Sequence, residues 1–314
     1  MSDAIFPVGL VIDDHCSSFD EMKVREKGWD IHSSEIEGGP FSSIIKGIHT
    51  PSIQLAHTVY SKAMIISGAF PEQCILLYIA ESERPPVVHD LPTLANELSI
   101  GFEGGAVDVL INSASKYYTI SVGKELFLSE YYRYFGVTLE ESTEVEKLLI
   151  EEEQLHLFFE GINAWVKYLS NQELKVTYKN RYESIEKEIL SFVFSFIITK
   201  KKPVKRLKFD IKIVREYLED SLENDLNVKQ LARNLNISER QLHNAFKGNY
   251  GVTPKKFLQQ LRLNAIKKEL LASTTKNTII SDIAFKYKFL HMSHFTSEYK
   301  KLFGQTPSST LEHK

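Results

Sequence analysis

Cysteine is scarce in this sequence: Cys16 and Cys74 are the two thiols in 314 residues. Two cysteines cannot build a disulfide framework, so both are expected to be unpaired core residues of a chain that works in a reducing compartment. Long apolar runs are missing too. The most apolar stretch, ILSFVFSFII from Ile189 to Ile198, has about half the length that a bilayer crossing needs. The first fifteen residues place no basic segment ahead of their brief apolar run, so no signal peptide is expected. A soluble, cytoplasmic protein with no membrane partner is the expectation. Catalytic signatures are absent as well: there is no Gly-rich phosphate loop, no nucleophile elbow and no HExxH. His49 and His57 lie eight apart with no HxH pair, and the isolated DDHC of Asp13 to Cys16 favours a surface loop over a metal site. No catalytic residue, cofactor or metal is expected, and an enzymatic N-terminal unit is the disfavoured alternative.

What is present is an uneven distribution of charge. The net charge of −3 divides into −12 over residues 1 to 204 and +9 from Lys205 onward, where 20 Lys and Arg face 11 Asp and Glu. Such asymmetry points to a polyanion-binding unit attached to a unit with another task. The basic run KKKPVKR, Lys200 to Arg206, marks the boundary as a linker broken by proline.

The two halves also differ in periodicity. Up to about residue 138 the chain is strand-like: SSIIKGI, SIQLAHTVY, AMIISGAF, CILLYIA, VDVLINS and YYTISV are short β-branched and aromatic runs separated by EGGP, HTP, FPEQ and EGGA. Even spacing with Gly and Pro breaks predicts a sandwich or barrel. From 139 to 199 the pattern becomes helical. Leu155, Phe158, Phe159, Ile162, Trp165, Val166 and Leu169 recur at threes and fours. A second helix, about Tyr182 to Thr199, ends in the apolar ILSFVFSFII, which must be buried either on the N-terminal core or in a subunit interface.

Residues 207–314 contain a repeat. GVTP at Gly251 to Pro254 returns as GQTP at Gly304 to Pro307. Counting back from each proline, Phe246 falls opposite Tyr299 and Leu242 opposite Phe295, while Leu231-Ala232 and Ile283-Ala284 open a shorter helix before each pair. Each copy therefore reads helix, turn, helix. Asn227 with Gln230, and Ser238 with Gln241, form candidate capping boxes in the first copy; Thr278 and His291 open the corresponding helices of the second with weaker caps. Each Thr-Pro restarts a helix, with proline at the first helical position. Between the copies PKKFLQQLRLNAIKKELLAS predicts a helix of about 18 residues and 27 Å. Phe257, Leu258, Leu261 and Ala265 give it one apolar stripe against which both units can pack.

The stretch from about Leu207 to Lys314 resembles the DNA-binding domain of AraC/XylS-type transcriptional regulators. ISDIAFKYKFLHMSHFTSEYKKLFGQTPS, Ile280 to Ser308, carries the most specific motif. The resemblance implies an all-α domain of two helix-turn-helix units joined by a long helix, binding double-stranded promoter DNA and recruiting or blocking RNA polymerase. It implies reading helices from Ser238 to Lys247 and from His291 to Lys301. Leu242, Phe246, Phe295 and Tyr299 would be core, and Arg240, Gln241, His243, Asn244, Lys247, His291, His294, Thr296 and Lys300 would face DNA. Arg240 would meet guanine, Asn244 adenine and Lys247 phosphate. His291 and His294 lack a nearby third ligand for a metal. Three positions depart from the family pattern. Lys288 stands where glycine is usual, Asn244 and Ser297 stand where Arg is frequent, and the end STLEHK lacks the usual aromatic and Arg.

In that family the other domain is often a cupin-like β-barrel followed by helices, and the strand-then-helix order here fits it. Trp29 to Phe41 resembles the opening of sensor domains in ethanolamine-regulator-like members. The resemblance implies an α+β protein. Residues 1–138 would bind a small-molecule effector, 139–199 would be a helical dimerisation or interdomain segment, 200–206 the linker and 207–314 the DNA reader. The effector would be apolar or amphipathic, such as the fatty acids of some virulence regulators. The alternative is an N-terminal domain that only dimerises, giving a homodimer.

Overall fold

In a computed structural model of the chain the described residues are 5–25, 31–70, 73–103, 105–139, 146–171, 179–198, 211–226, 228–273 and 278–312. The expected linker at Lys200 to Arg206 and the cap residue Asn227 lie outside them. In chain order the N-terminal part runs β1 (Val11–Cys16), α1 (Phe19–Arg25), β2 (Ile31–Glu35), β3 (Ser43–His49), β4 (Ile53–Tyr60), β5 (Met64–Ala69), β6 (Cys74–Glu81), β7 (Val87–Val88), β8 (Leu91–Pro92), β9 (Glu97–Gly101), β10 (Ala106–Ile111), β11 (Ser115–Gly123), α2 (Lys124–Phe135), β12 (Glu146–Ile150), α3 (Leu155–Ser170), α4 (Lys179–Ser195) and β13 (Ile197–Ile198). The C-terminal part is helical: α5 (Ile211–Asp220), α6 (Val228–Asn234), α7 (Glu239–Tyr250), α8 (Pro254–Ala272), α9 (Ile280–Lys286), α10 (Met292–Phe303) and α11 (Pro307–Glu312). The chain is thus α+β, with sheets in its N-terminal part and helices in its C-terminal part.

Strand alternation sorts the N-terminal side chains into layers. One antiparallel sheet has the order β1-β3-β4-β11-β6-β9-β12-β13 and the other β2-β5-β10-β7-β8. Among the described residues neither sheet closes on itself, so the barrel form of the expectation gives way to two open sheets face to face. On β11, Tyr118, Ile120 and Val122 point to the outer face of the larger sheet and are buried under α2, α3 and α4. Tyr118 stacks on Phe159 of α3 at 4.6 Å. Tyr117, on the opposite face, joins Tyr78, Leu76, Met64, Val107 and Val109 between the sheets. The outer face of the smaller sheet is apolar as well. Ile65, Val87 and Leu110 share a core with Val214, Leu218, Phe246, Phe257 and Leu258 of the C-terminal helices. Four layers result: helices, sheet, sheet, helices.

Several expectations change here. DDHC lies in β1, where Asp13 opposes Lys46 of β3 and pairs with it at 3.5 Å; alternating half-exposed residues suit an edge strand better than a loop. ILSFVFSFII is helix only as far as Ser195, and its two final isoleucines form β13 against β12. β-branched residues favour that switch. Ile189, Leu190, Val193 and Phe194 are buried within the chain, in the core beneath α2 and α3. The 139–199 segment therefore extends the larger sheet as well as covering it. Cys16 and Cys74 are buried and form no disulfide with each other, and burial pushes the Cys74 thiol up to about 11.

Candidate nucleic-acid interface

The two helices of each pair are joined by a glycine-free turn that contains one left-handed residue. Asn236 (φ 53°) sits between α6 and α7, and Lys288 (φ 66°) between α9 and α10. Asn tolerates that conformation through its short polar side chain; Lys takes it at a steric cost. The departure at Lys288 is thus absorbed without reshaping the turn. Ser238 then caps α7 in a complete capping box, its Oγ accepting from Gln241 N at 3.2 Å while Gln241 Oε1 accepts from Ser238 N at 2.9 Å. In the second pair Ile279 and His291 hold the cap positions and neither side chain makes a capping bond. Thr278, expected to open α9, precedes the cap position by one residue. α7 and α10 run past Lys247 and Lys301 to Tyr250 and Phe303, where Gly251 (φ 68°) and Gly304 (φ 73°) end them in left-handed caps. Thr253 and Thr306 then cap α8 and α11, accepting from Lys256 N at 3.2 Å and Ser309 N at 3.1 Å.

The expected core pairs are fully buried: Leu242, Phe246, Phe295 and Tyr299 are each 0% exposed. On the opposite side of α7, Arg240, Gln241, Asn244 and Lys247 are exposed and His243 is half-buried. On α10 and its cap, His291, His294 and Lys300 are exposed and Thr296 is half-buried. Of these, Gln241 commits its carbonyl oxygen to the capping box, which leaves Arg240, Asn244 and Lys247 as one polar stripe. Among the described residues no group of three His, Cys, Asp or Glu could hold a metal.

The connecting helix α8 has 19 residues, roughly 28 Å. Its apolar residues form two faces rather than the single stripe expected. Phe257 and Leu258 enter the core of the first unit; Leu263, Ile266 and Leu270 enter that of the second. A helix clamped between two units must bury both sides. Polar ties fix the geometry. Lys256 meets Glu298 of α10 at 2.6 Å, Glu269 accepts from Lys286 at 2.8 Å and Tyr287 at 3.0 Å, and Arg262 donates to the Leu222 and Asn224 carbonyls at the end of α5. The hydrogen bond and charge of Lys256 lower the pKa of Glu298.

The first unit is also fastened to the smaller sheet. Arg215 of α5 makes a bidentate pair with Asp108 of β10 and lies 3.7 Å from Asp90. Tyr250, the last residue of α7, donates to Asp90; burial first, and then Asp90, hold its hydroxyl well above the ordinary phenol range. Asn264 of α8 donates to the Glu35 carbonyl at 2.8 Å and accepts from Glu35 N at 3.2 Å. The Glu35 carboxylate lies between Lys62 at 2.6 Å and Lys267 at 3.5 Å. Lys247, Gly248 and Gly251 border a cleft with Arg84, Pro85 and Asn112. None of the ties between the C-terminal helices and the N-terminal part was readable in the sequence, because their partners lie more than a hundred residues apart.

A second feature lies between the sheets. A cavity of about 430 Å³ is walled by β1, β3, β4, β6 and β11 of the larger sheet and β2, β5 and β10 of the smaller, within the ~300–1,000 Å³ range of small-molecule sites. Apolar side chains dominate its wall. The sequence signal for it was the alternation in YYTISV, which separates Tyr117 and Thr119 from Tyr118 and Ile120.

Residues 231–313 match the family model of a helix-turn-helix domain. Over 101 residues the chain is 35% identical to a probable thc operon regulatory protein of Rhodococcus erythropolis, covering 32% of this chain and 30% of that one. It is 33% identical over 98 residues to the XylDLEGF operon transcriptional activator of Pseudomonas putida, covering 31% and 30%. The C-terminal region is a helix-turn-helix domain of the AraC/XylS type. The match of this AraC/XylS-type domain spans about a third of the length of those curated relatives. A solved structure, a probable AraC family transcriptional regulator from Rhodopseudomonas palustris, is 28% identical with a TM-score of 0.31 over 32% of this chain and 94% of that one. Among the described residues no helix is long and apolar enough to cross a membrane.

Proposed function

We propose that this chain is a cytoplasmic transcriptional regulator that reads promoter DNA with α7 and α10 and senses a small-molecule effector in its N-terminal sandwich, a cupin-like sensor. The observation that carries this reading is the pair of equivalent helices, each with buried Leu/Phe or Phe/Tyr anchors and an exposed polar stripe, joined by one rigid helix. Its length of roughly 28 Å is of the order of the ~34 Å between successive major grooves on one face of DNA. Arg240 and Asn244 have the chemistry for guanine and adenine edges, His291 and His294 open the second reading surface, and Lys247 and Lys300 suit phosphate. RNA polymerase is the further partner that such a reader would recruit or block.

The effector acts through β10. Val107 and Val109 border the cavity while Asp108 and Leu110, on the other face of the same strand, hold the first helix-turn-helix unit. Occupancy shifts the balance between docked and released readers by as much as the effector prefers one of them. The cavity favours this reading over an N-terminal domain that only dimerises.

The test is selection of duplexes from a random pool by the full chain. Two half-sites about 10 bp apart are expected, with affinity falling steeply as salt rises. Arg240→Ala should cost about 1–3 kcal/mol at one base position, whereas Lys247→Ala should weaken all sequences alike. A pool without an enriched site, bound with no salt dependence, overturns the reading.

A further inference from the structure

The turns of the two helix-turn-helix units differ by one residue. Ala232 and Ala284 are equivalent, as are the left-handed Asn236 and Lys288; Ile237 N donates to the Ala232 carbonyl at 3.0 Å as Phe289 N does to the Ala284 carbonyl at 2.9 Å. These pairs stand 52 residues apart, whereas the core pairs Leu242 with Phe295 and Phe246 with Tyr299 stand 53 apart. In the first unit Ile237 is followed at once by the cap Ser238; in the second, Leu290 intervenes between Phe289 and the cap His291. Leu290 is the added residue. At 73% it is also the most exposed large hydrophobic side chain among the described residues.

The backbone of Leu290 is held on both sides. Phe289 is buried with its ring 5.3 Å from that of Phe295, and the His291 carbonyl accepts from Phe295 N at 2.9 Å. A leucine fixed in this way yet left in water has no part in the core. Its place is the leading end of α10, a helix of 12 residues and roughly 18 Å. The far end of that helix meets the N-terminal part, where Gly38 packs on the Lys301 carbonyl. Leu290 therefore projects from the end remote from this contact, the end whose residues meet base edges in helix-turn-helix complexes. Its neighbours Lys288, His291 and His294 are exposed and polar. They suit a polyanion better than the apolar face of a protein partner.

Among the groups on the floor of the major groove, the thymine C5-methyl is the apolar one. A leucine side chain offers no hydrogen bond, so contact with that methyl is the base-specific interaction open to it. We infer that Leu290 is a specificity residue that reads a thymine through its C5-methyl in the half-site bound by α10. This rests on the reading of α10 as a DNA-reading helix, and it adds an apolar contact to the polar set His291, His294, Thr296 and Lys300.

The test measures binding of the full chain, at one salt concentration, to the duplex that it selects from a random pool. Each thymine in turn is replaced by deoxyuridine, which removes the methyl and keeps every hydrogen-bonding group. At least one replacement should weaken binding about 3- to 5-fold, the transfer value of one buried methyl. Leu290→Ala should weaken binding of the unmodified duplex by a similar factor and abolish the sensitivity to that replacement. The variant should fold as the parent does, because the side chain lies mostly in water. With cytosine at the same position, 5-methylcytosine should bind more tightly by the same factor to the parent chain and equally to Leu290→Ala. Leu157→Ala, at an exposed leucine of α3, should alter none of these results. No sensitive thymine, or a sensitive thymine that stays so in Leu290→Ala, overturns the contact and leaves α10 standing as a reader. A full chain that selects no duplex overturns both.

Discussion

The two helix-turn-helix units share one pattern of turns, anchors and caps, yet they are built into the molecule differently. The first has a complete capping box at Ser238 and an Asn in its left-handed turn position. Its core is continuous with the smaller sheet and its flanking turns through Ile36, Ala63, Ile65, Val87 and Leu110. The second has caps without side-chain bonds and a lysine in the left-handed position. Its core, around Leu263, Ile266, Phe295 and Tyr299, contains no residue of the sheets. A repeated sequence motif specifies a local shape and leaves its surroundings open. Here the locally stronger unit shares its core with the smaller sheet, and the weaker one packs on α8 and α11 and meets the N-terminal part where Gly38 lies against Lys301.

The largest expected effect breaks the attachment of the first unit. Arg215→Ala leaves Asp108 and Asp90 buried beside an apolar gap and should lower the stability of the chain by about 3–5 kcal/mol in urea unfolding. Lys256→Ala removes a pair that ties the second unit to α8, partly open to solvent at side-chain exposures of 37% and 18%; it should cost under ~1 kcal/mol. Equal losses for the two variants would show that the units are held alike. Next in size, Lys288→Gly should raise stability by about 1–2 kcal/mol by relieving a left-handed side chain. Asn236→Gly should change it by less, since Asn already suits that conformation. A stability loss at Lys288→Gly, seen in the same unfolding curves, would mean that this side chain contributes packing. The smallest effect sharpens the contrast between caps. Ser238→Ala should cost about 0.5–1 kcal/mol, while His291→Ser should give back a similar amount by supplying the missing oxygen acceptor. Amide exchange in the first turns of α7 and α10 would localise both changes.

The repeat was legible because it is carried by local chemistry: Thr before Pro, Gly at a left-handed helix end, an aromatic four residues after another apolar anchor. The six strands quoted from the sequence were legible because they are short β-branched and aromatic runs bounded by Gly and Pro breaks. β1 escaped notice since its charges occupy an edge strand, and β13 since two isoleucines after a helix carry no periodicity of their own. The second face of α8 was hidden because a helix buried on two sides has no clear stripe. Spacing from Pro254 and Pro307 aligned the buried anchors Leu242, Phe246, Phe295 and Tyr299, whereas the candidate DNA-facing residues came from the family resemblance. The latch of Arg215, Asp108, Asp90 and Tyr250, and the cavity wall at Tyr78 and Tyr117, depend on strands pairing over long separations, for which a single sequence gives no register.

β10 is six residues long, and under the proposed effector reading its pleat gives specificity and signalling a common backbone. Any change at Val107 or Val109 that reshapes the chamber for a new ligand also moves Asp108, the anchor of Arg215. Under the proposed effector reading, tuning recognition and tuning the resting state are therefore one operation. A variant selected for a new inducer at these valines should carry an altered uninduced level with it, whereas changes on β4 or β6 could vary recognition alone.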